Sequence, residues 1–496
     1  MGRRMVLYRG SLKSCNYHCS YCPFSKHRMA GRELEKDRMQ WEFFVQSYEK
    51  YTEAAGIHAL MVAPYGEALL HPWYWEGLAR ISALFETEAA GAQTNLSFPV
   101  QESLELYKNM GGKIEKLRIW ATFHPEMVSG RDFAASCRSL HEAGVMLCAG
   151  AVGVPENIPL LKQLRRELPP QIYLWINRMD GMQRAYTPQE IQDFVSIDPY
   201  FSRELLTHAA DAAQCRERLF VEGNGNVRLC NISRPEQLAR GGDAWDQKQD
   251  ADHLPFKCSR RQCTCYLAYG GRDNLMNQVL FGPYPLFRIP RRAKAVFLDI
   301  EGTLLAAEPG SVEAGLKALA GENIPVFFAT TLPYKDAVRR CMPICRYFSG
   351  GIFAAGAHLR LMNGAREKEY FHCLDESCIP DLQSAARRYH FRILSCRSNG
   401  RCYKLTLLRA HRRPWDSVQA GEVFLQIPDS ARKNLRYFIE DNCLQITAKG
   451  VDKAYGVQKI CAWLGIRPQE AYAAGDSSED LCMMQMTGSS YTNPAG

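Results

Sequence analysis

The first residues that could do chemistry are three cysteines near the N-terminus. Cys15, Cys19 and Cys22 stand in the string CNYHCSYC, directly after a short apolar segment. Thiolates are the usual ligands of iron–sulfur clusters, so these three can hold three irons of a [4Fe–4S] cluster. The fourth iron then has no protein ligand, and such an open coordination site is what a reactive cluster needs. The alternative is a structural zinc site, with His18 or His27 as its fourth ligand.

A second group of cysteines lies between residues 211 and 270, where the hydrophobic periodicity is poor. Its candidate metal ligands are Cys215, Cys230, Cys258, Cys263 and Cys265. Five thiolates can complete one four-ligand cluster but not two. A zinc-ribbon-like site is the alternative, because zinc accepts the same ligands. Either metal would support the folding of a segment that lacks an obvious apolar core.

Short apolar segments that could position these residues alternate with stretches long enough to form helices. We predict strands over 5–12, 59–65, 90–95, 116–122, 145–152 and 171–177. This alternation is typical of an α/β fold with a parallel sheet, here a partial (β/α)6 barrel of the TIM type. The active site of such a fold lies at the C-terminal ends of its strands. The first cysteine group follows the first predicted strand and therefore lies at that end.

A second α/β unit begins near residue 294 with the string KAVFLDIEGT. The proline-containing, basic string PYPLFRIPRR precedes it and is predicted to be a connector. We therefore divide the chain into a partial barrel (1–210), a cysteine-rich segment with linker (211–290) and a Rossmann-like domain (291–496).

The first cysteine group and the segments after it resemble the radical-SAM superfamily. In that family the open iron binds S-adenosylmethionine, and one electron cleaves it to a 5′-deoxyadenosyl radical that abstracts a substrate hydrogen. The resemblance implies that Tyr21, before the last cysteine, contacts the adenine. The string PYGEALLHP is similar to the family's Gly-Gly-Glu segment, which holds the methionine amino group. Gly66 and Glu67 match that segment, whereas Tyr65 replaces its first glycine.

Polar residues after the third and fourth predicted strands fit the same resemblance. Asn95 and the Thr122–His124 region lie where the family contacts the ribose or methionyl groups. The alternative for each is a hydrogen-bonded polar residue at a strand end, which is common in any fold.

The opening of the second cysteine group resembles the SPASM/Twitch extension of radical-SAM enzymes. Gly225 stands five positions before Cys230, and Cys215 precedes both. The extension carries auxiliary [4Fe–4S] clusters, but its later cysteine pairs are not present here. The resemblance therefore implies one auxiliary cluster.

Four strings in the C-terminal part resemble the four motifs of the haloacid dehalogenase superfamily, in the order that the family requires. They are VFLDIEGTLL, PVFFATT, KGVDKAYGV and AYAAGDSSEDLCMM. The best local match is to the Cof-like phosphatases, which carry a large α+β cap between the second and third motifs. Residues 357–445 have the length and the place of that cap.

The resemblance assigns a role to six residues of these motifs. They are Asp299 (nucleophile), Glu301 (general acid and base), Thr330 and Lys453 (phosphoryl oxygens), Asp476 (Mg²⁺ ligand with Asp299) and Asp480 (supporting carboxylate). Carboxylates suit both tasks, since Mg²⁺ prefers oxygen ligands and a carboxylate can attack phosphorus. Glu301 departs from the usual aspartate, as in the enolase-phosphatase branch. Thr331 and Leu332 stand where Cof-like members usually have Gly-Arg.

The composition limits the function classes. The chain has 61 basic and 53 acidic residues, and its net charge of +8 permits an anionic substrate but is mild for a nucleic-acid binder. No apolar run approaches the ~20 residues of a membrane helix, and the N-terminus has no signal-peptide h-region. We therefore expect a cytoplasmic protein whose 19 cysteines are thiols or metal ligands.

Together these patterns predict a radical-SAM enzyme that modifies a small molecule or peptide, coupled to Mg²⁺-dependent hydrolysis of a phosphate monoester. The implied cofactors are a SAM-binding [4Fe–4S] cluster, S-adenosylmethionine, one auxiliary [4Fe–4S] cluster and Mg²⁺. The expected partners are the substrate and a reductase such as flavodoxin or ferredoxin, without a membrane. Two alternatives stay open: modification of RNA or nucleotides, and a C-terminal half that only binds a phosphorylated ligand.

Overall fold

The chain forms two compact units, Met1–Arg291 and Arg292–Gly496, in the computed structural model. The structure describes residues 4–22, 27–53, 55–206, 208–209, 218–228, 231, 262–263, 267, 275–291, 293–363, 366–409, 413–440 and 442–492. Within these ranges, none of the helices combines the length and the hydropathy that crossing a membrane requires.

The first unit is built on a mainly parallel sheet with the strand order β6-β5-β4-β3-β2-β1-β8-β9. Its strands are β1 (Arg4–Gly10), β2 (Ile57–Val62), β3 (Ala89–Thr94), β4 (Leu117–Phe123), β5 (Met146–Gly153), β6 (Tyr173–Arg178), β8 (Arg218–Glu222) and β9 (Val227–Arg228). Its helices are α1 (Arg32–Tyr51), α2 (Pro72–Ala83), α3 (Val100–Asn109), α4 (Gly130–Glu142), α5 (Ile158–Glu167), α6 (Pro188–Ile197) and α7 (Leu275–Phe281). A short antiparallel pair joins β7 (His208–Ala209) to β10 (Gln262–Cys263).

The predicted parallel α/β arrangement is confirmed. Each of the first five strands pairs in parallel with the next one along the chain, and a helix lies between them in sequence. Among the described residues the sheet is open, with β6 and β9 at its edges. A partial barrel is therefore not shown and stays a prediction.

Local signals explain where several helices begin. Thr187 and Glu190 form a reciprocal capping box at the start of α6, with Pro188 as its first helical residue. Ser129 accepts a hydrogen bond from the backbone N–H of Asp132 and so caps α4. Both arrangements satisfy N–H groups that have no partner within the helix.

The two faces of the first sheet have different neighbours. On β1, Val6 and Tyr8 belong to the large apolar core that also contains residues of α1 to α6. Met5 and Leu7 alternate with them and belong to a second cluster, together with Leu286. This alternation is the period of two expected for a strand that is buried on both faces.

Part of the segment predicted to be a connector, residues 284–289, packs against that second face instead. Leu286 and Phe287 are buried in the cluster with Tyr284, and Ile289 packs against it. The prolines suggested a linker, but three apolar residues, Leu286, Phe287 and Ile289, lie between Pro285 and Pro290. Removing their side chains from water stabilises the packed position of this segment.

Arg288 follows these residues and is completely buried. Its guanidinium carbon lies 3.6 Å from the ring centroid of Trp120 and 4.0 Å from that of Trp175. Its Nη1 donates to Asn177, and its Nη2 donates to the Leu267 carbonyl oxygen at 2.9 Å. Stacking between two indoles replaces part of the hydration that the cation loses on burial.

The second unit contains a seven-stranded sheet with the order β15-β14-β13-β12-β11-β20-β21. Its strands are β11 (Ala295–Leu298), β12 (Val326–Ala329), β13 (Phe348–Phe353), β14 (His358–Asn363), β15 (Arg366–Phe371), β20 (Ala471–Gly475) and β21 (Ser489–Thr492). Its helices are α8 (Pro309–Gly321), α9 (Tyr334–Arg340), α13 (Lys453–Leu464) and α14 (Ser478–Met486). The five strands β13, β12, β11, β20 and β21 are parallel, so the predicted Rossmann-like fold is confirmed.

A separate four-stranded antiparallel sheet, with the order β16-β17-β19-β18, is inserted between β15 and α13. Its elements are α10 (Ile379–Tyr389), β16 (Phe391–Ser398), β17 (Arg401–Arg409), α11 (Ser417–Leu425), α12 (Asp429–Arg432), β18 (Leu435–Glu440) and β19 (Cys443–Ala448). We call residues 372–448 the cap. The sequence placed its start at 357, but β14 and β15 form a hairpin that extends the main sheet, because β14 pairs with β13.

The buried carboxyls beside Arg288 predict how the stability of the first unit depends on pH. Burial raises the pKa of Glu204 to about 7, although Arg288 opposes the rise. Below the unfolded-state pKa of Glu204, the carboxyl is protonated in both states, and its contribution to the free energy of unfolding is fully present. This contribution is lost as the pH rises from there through about 7, because the unfolded chain then gives up the proton more readily than the folded one. A difference of two to three pKa units corresponds to about 3 kcal/mol. We expect the free energy of unfolding to fall less steeply between pH 4.5 and 8 in Glu204→Gln than in the wild type.

Urea unfolding followed by tryptophan fluorescence at a series of pH values measures this slope. The matched control is Glu102→Gln, since Glu102 is an exposed carboxyl on α3. Equal slopes in Glu204→Gln and the wild type would contradict the prediction.

Candidate functional sites

The first candidate site is a cavity of about 510 Å³ at the C-terminal ends of the parallel strands of the first unit. Most of its lining comes from the loop after β1 and from the ends of β2 to β6. The sequence-predicted residues that line it are Cys15, Cys19, Tyr21, Cys22, Gly66, Glu67, Asn95, Thr122 and His124. Parallel strands bring residues that are far apart in sequence to one edge, which explains why they meet here.

The cysteine loop rests directly on the segment after β2. The backbone N–H of Glu67 donates to the Ser14 carbonyl oxygen at 2.9 Å. A Cβ atom at Gly66 would lie 2.2 Å from that same oxygen, so only glycine fits beneath the loop. The glycine of this segment therefore sets the position of Cys15.

Glu67 is buried and links three parts of the site. Its carboxylate accepts hydrogen bonds from the Thr94 hydroxyl at 2.7 Å and from the backbone N–H groups of Leu69 and Asn95 at 3.1 and 2.6 Å. Burial raises the pKa of Glu67 to about 7, and these hydrogen bonds oppose the rise. This carboxylate therefore holds the ends of β2 and β3 together at the cavity wall.

Asn95 and Tyr21 contact other members of the predicted set. The Asn95 side-chain amide donates to the Cys15 Sγ at 3.6 Å and to Asn16 at 3.0 Å. The Tyr21 hydroxyl lies 2.8 Å from the His124 Nδ1, and the two rings stack. Burial lowers the pKa of His124 to about 4, so the imidazole is neutral at pH 7 and its Nδ1 can accept a hydrogen bond from the tyrosine hydroxyl.

Glu126 takes part in this site although the sequence analysis did not select it. Its carboxylate accepts from the backbone N–H of Ser20 at 2.7 Å and from the Ser20 hydroxyl at 2.6 Å. It therefore ties the cysteine loop to the end of β4. An acidic residue two positions after His124 carries no local signal that distinguishes it from a surface residue.

Four cysteines of the second group, Cys215, Cys230, Cys258 and Cys265, lie outside the described residues. Of Cys263, the structure describes the backbone alone, in β10. The auxiliary metal site predicted from these cysteines stays a prediction.

The second candidate site lies at the ends of β11 and β20 in the second unit. Lys453, the first residue of α13, donates hydrogen bonds to Asp299 at 2.7 Å and to Asp480 at 2.6 Å. All three side chains are buried. Burial would lower the pKa of Lys453, but the two carboxylates raise it above its usual value, so the ammonium stays charged.

Asp476 completes a set of carboxylates that could hold a metal ion. Ligand oxygens of Asp299, Asp476 and Asp480 lie within 4.8 Å of one another, and among the described residues no other such set is found. Burial and the neighbouring carboxylates raise the pKa of Asp299, whereas Lys453 opposes the rise. A divalent cation would relieve this repulsion, and oxygen ligands in this number suit Mg²⁺.

The turn after β11 is shaped by this cluster. Gly302 has φ +68°, and a Cβ atom there would lie 2.0 Å from the Asp476 Oδ2. The Thr303 hydroxyl donates to the Asp476 Oδ1 at 2.6 Å. The glycine and threonine of the DIEGT string therefore fit the turn against a carboxylate that lies more than 170 residues later in sequence.

Glu301 and Thr330, the other predicted residues, are adjacent. The Thr330 hydroxyl donates to the Glu301 Oε2 at 3.4 Å, and the Arg340 Nη1 donates to the Glu301 Oε1 at 2.5 Å. The sequence analysis missed Arg340, which lies at the end of α9. An arginine on an amphipathic helix has no sequence signal that separates this contact from solvent exposure.

The comparisons with known proteins concern the second unit. The family of haloacid dehalogenase-like hydrolases matches residues 416–492, and no curated protein matches the chain. Similar solved structures include a phosphatase of the same superfamily from Bacteroides thetaiotaomicron, at 17% identity over 40% of this chain and 82% of that one, with a TM-score of 0.33. A subclass IIB sugar phosphatase has 16% identity over 40% and 85%, with a TM-score of 0.33. A haloacid dehalogenase-like hydrolase from B. subtilis has 14% identity over 40% and 88%, with a TM-score of 0.32.

The matched residues include three that form the carboxylate site. Lys453, Asp476 and Asp480 lie within 416–492, and the geometry places them around Asp299. Within the C-terminal unit, residues 416–492 are therefore similar to the haloacid dehalogenase-like hydrolases.

Proposed function

We propose that the C-terminal unit hydrolyses phosphate monoesters with Mg²⁺, through a covalent phosphoryl group on Asp299. The observation that carries this proposal is the buried set of charges at the strand ends. Lys453 lies between Asp299 and Asp480, and the Asp476 carboxylate lies beside them. Phosphoryl transfer depends on an in-line nucleophile and on neutralisation of the phosphoryl oxygens, which this set provides.

The reaction has two steps that balance. In the first, an Asp299 oxygen attacks phosphorus, the bond from phosphorus to the ester oxygen breaks, and Glu301 gives its proton to the leaving alcohol. In the second, Glu301 takes a proton from water, which attacks phosphorus and releases inorganic phosphate from Asp299. Covalent catalysis thus divides one difficult displacement into two easier ones.

The remaining residues bind and orient the reacting groups. Lys453 and the Thr330 hydroxyl would contact the phosphoryl oxygens. Asp299 and Asp476 would hold Mg²⁺, which neutralises charge on the phosphoryl group. Asp480 accepts hydrogen bonds from the backbone N–H and the hydroxyl of Ser477 at 3.0 and 2.7 Å, so it stays fixed beside Lys453.

We expect Asp299→Asn to reduce Mg²⁺-dependent phosphatase turnover to background, because the amide is not a nucleophile. Glu301→Gln should slow turnover by about 10²–10⁴-fold, the usual contribution of general acid–base catalysis. Phosphate release from a panel of sugar phosphates, nucleotides and phosphopeptides measures both effects.

Asp336→Asn is the matched control, since Asp336 is a partly exposed carboxylate that pairs with Arg339 on α9. It should keep full turnover. If no compound shows Mg²⁺-dependent turnover that Asp299→Asn abolishes, the domain is better described as a phosphate-binding module.

We propose for the N-terminal unit a radical-SAM activity, carried by the cavity at its strand ends. Three thiols, the Gly66–Glu67 segment, Asn95 and Tyr21 line one cavity of about 510 Å³. Ligand pockets are typically about 300–1,000 Å³, so the volume suits S-adenosylmethionine. When bound, the cluster supplies the electron that cleaves S-adenosylmethionine.

Together the two units suit a cytoplasmic biosynthetic enzyme that modifies a small molecule or peptide by radical chemistry and removes a phosphate from a pathway intermediate. A flavodoxin or ferredoxin would deliver the electron. The alternative is RNA or nucleotide modification, which tight and salt-sensitive RNA binding would support.

We expect anaerobically reconstituted protein to form 5′-deoxyadenosine from S-adenosylmethionine with dithionite, and Cys19→Ala to form none. The variant removes one of three cluster ligands. Cys137→Ala is the control, because Cys137 is buried in α4 and does not line the cavity. Wild-type protein that binds zinc alone and forms no 5′-deoxyadenosine would contradict the proposal.

The second cysteine group predicts a separate auxiliary cluster. Total iron should be about eight atoms per chain, because each cubane holds about four. Replacing Cys15, Cys19 and Cys22 together by Ala should leave about half of the iron. A folded triple variant without iron, measured by colorimetric assay and circular dichroism, would show that no auxiliary cluster forms.

A further inference from the structure

The cap sheet has two chemically different faces. The pairing of β17 with β19 places Leu405 opposite Ile446 and Leu407 opposite Leu444, and all four belong to the apolar core of the cap. Thr406 pairs with Gln445 between them, so these two side chains lie on the other face. Lys404 precedes Leu405 and therefore also lies on this second face, which we call the polar face.

The polar face meets the catalytic end of the main sheet. The Lys404 Nζ donates to the Thr331 carbonyl oxygen at 2.5 Å. The Arg436 Nη2, from β18, donates to the Glu479 Oε2 at 2.6 Å. Thr331 follows Thr330, and Glu479 precedes Asp480, so the polar face covers the carboxylate site.

Most cations around this site are paired with carboxylates. Lys453 pairs with Asp299 and Asp480, Arg340 pairs with Glu301, and Arg436 pairs with Glu479. Lys404 differs, because no described carboxylate lies within 4.0 Å of its ammonium group. Among the described residues of the polar face, Lys404 is therefore a buried cation without a carboxylate partner, and it can bind a further anion.

The surroundings of Lys404 make such an anion favourable. The side chain is only 3% exposed, and the acceptor described for its three N–H groups is one neutral carbonyl oxygen. Burial lowers the pKa of Lys404, and Lys453 adds to this, whereas Glu440 and the thiols of Cys396 and Cys443 oppose it. A buried ammonium group is stabilised when an anion pairs with it, since the anion replaces lost hydration.

We infer that Lys404 binds a second anionic group of the substrate, located on the alcohol part that leaves when the phosphate ester is cleaved. The substrates are then phosphate esters of small, polar, acidic compounds, such as a phosphorylated hydroxy acid or a bisphosphate. This inference rests on the phosphatase function proposed above. Thr406 and Gln445 would offer the neighbouring hydrogen-bonding groups, since the Thr406 hydroxyl already donates to Gln445 at 2.7 Å.

Two pairs of probes differ in that second anionic group. 3-Phosphoglycerate and glycerol 3-phosphate differ in a carboxylate, and fructose 1,6-bisphosphate and fructose 6-phosphate differ in a phosphate. Titration calorimetry with the full chain, Mg²⁺ and Asp299→Asn measures affinity without turnover. In at least one pair, we expect the compound with the second anionic group to bind about tenfold tighter or more than its partner. Lys404→Met should remove this preference.

Two further variants separate binding from structure. Lys404→Arg keeps the positive charge and should retain a preference for the compound with the second anionic group. Arg387→Met removes an exposed cation on α10 and should retain the full preference. A Lys404→Met variant that weakens both members of a pair equally would overturn the inference, as would a lack of preference or of binding in the Asp299→Asn parent.

Failure of the proposed function gives a different result. Wild-type protein without Mg²⁺-dependent turnover of p-nitrophenyl phosphate or the phosphate-ester panel would refute the hydrolase. The binding preference of the Asp299→Asn protein tests Lys404 without any turnover. The two outcomes are therefore read from separate experiments.

Discussion

The buried ammonium of Lys453, held between Asp299 and Asp480, is the interaction on which the C-terminal unit depends. Lys453 is 1% exposed, and the two carboxylates come from separate segments of the chain. Removing one partner of such a group leaves an uncompensated buried charge, which costs about 3–5 kcal/mol. The fold must therefore bring the end of β11 and the first turns of α13 and α14 together for these charges to be satisfied. The same arrangement presents one cation and several carboxylates where a phosphate and a metal ion would bind.

In the N-terminal unit, a buried charge is stabilised by stacking between aromatic rings. Arg288 lies between the rings of Trp120 and Trp175, close to the carboxyls of Asp198 and Glu204. With Leu286 and Phe287 it belongs to the residues that cover one face of the parallel sheet. The cavity is left at the C-terminal ends of the strands, where the cysteine loop lies. The 284–289 segment thus covers one face of the sheet, whereas the strand ends stay open to a ligand.

Both units place their candidate chemistry at the C-terminal ends of parallel strands, and each covers it with a further element. In the first unit the cysteine loop rests on Gly66 and is tied to Glu126 through Ser20. In the second unit the cap presents a polar face to the carboxylate site. Lys404 belongs to the cap and Lys453 to the main domain. In the function proposed above, the main domain binds the reacting phosphate through Lys453, and the cap selects the substrate through Lys404.

From the amino-acid sequence alone we could predict the alternation of strands and helices, the Rossmann-like second unit and the residues at the strand ends. The strands and helices follow from local hydrophobic periodicity. The strand-end residues of the second unit were found through short strings such as DIEGT, which resemble known motifs. The six predicted strands of the first unit agree with the observed ones to within a few residues. The contacts of Gly302 and Thr303 with Asp476 are long-range and could not be derived from that string.

The features that depend on contacts between distant residues follow from tertiary packing and could not be predicted from the sequence. The string PYPLFRIPRR has the composition of a connector, yet Leu286, Phe287 and Arg288 are buried, because the open face of the first sheet supplies apolar surface and two indoles. The hairpin of β14 and β15 extends the main sheet rather than the cap, because β14 pairs with β13. Local sequence does not show which strand an element will pair with. Arg340 and Lys404 were no more conspicuous in sequence than other basic residues. Their positions follow from the packing of α9 and of the cap sheet, and long-range packing leaves no periodic or local pattern in the sequence.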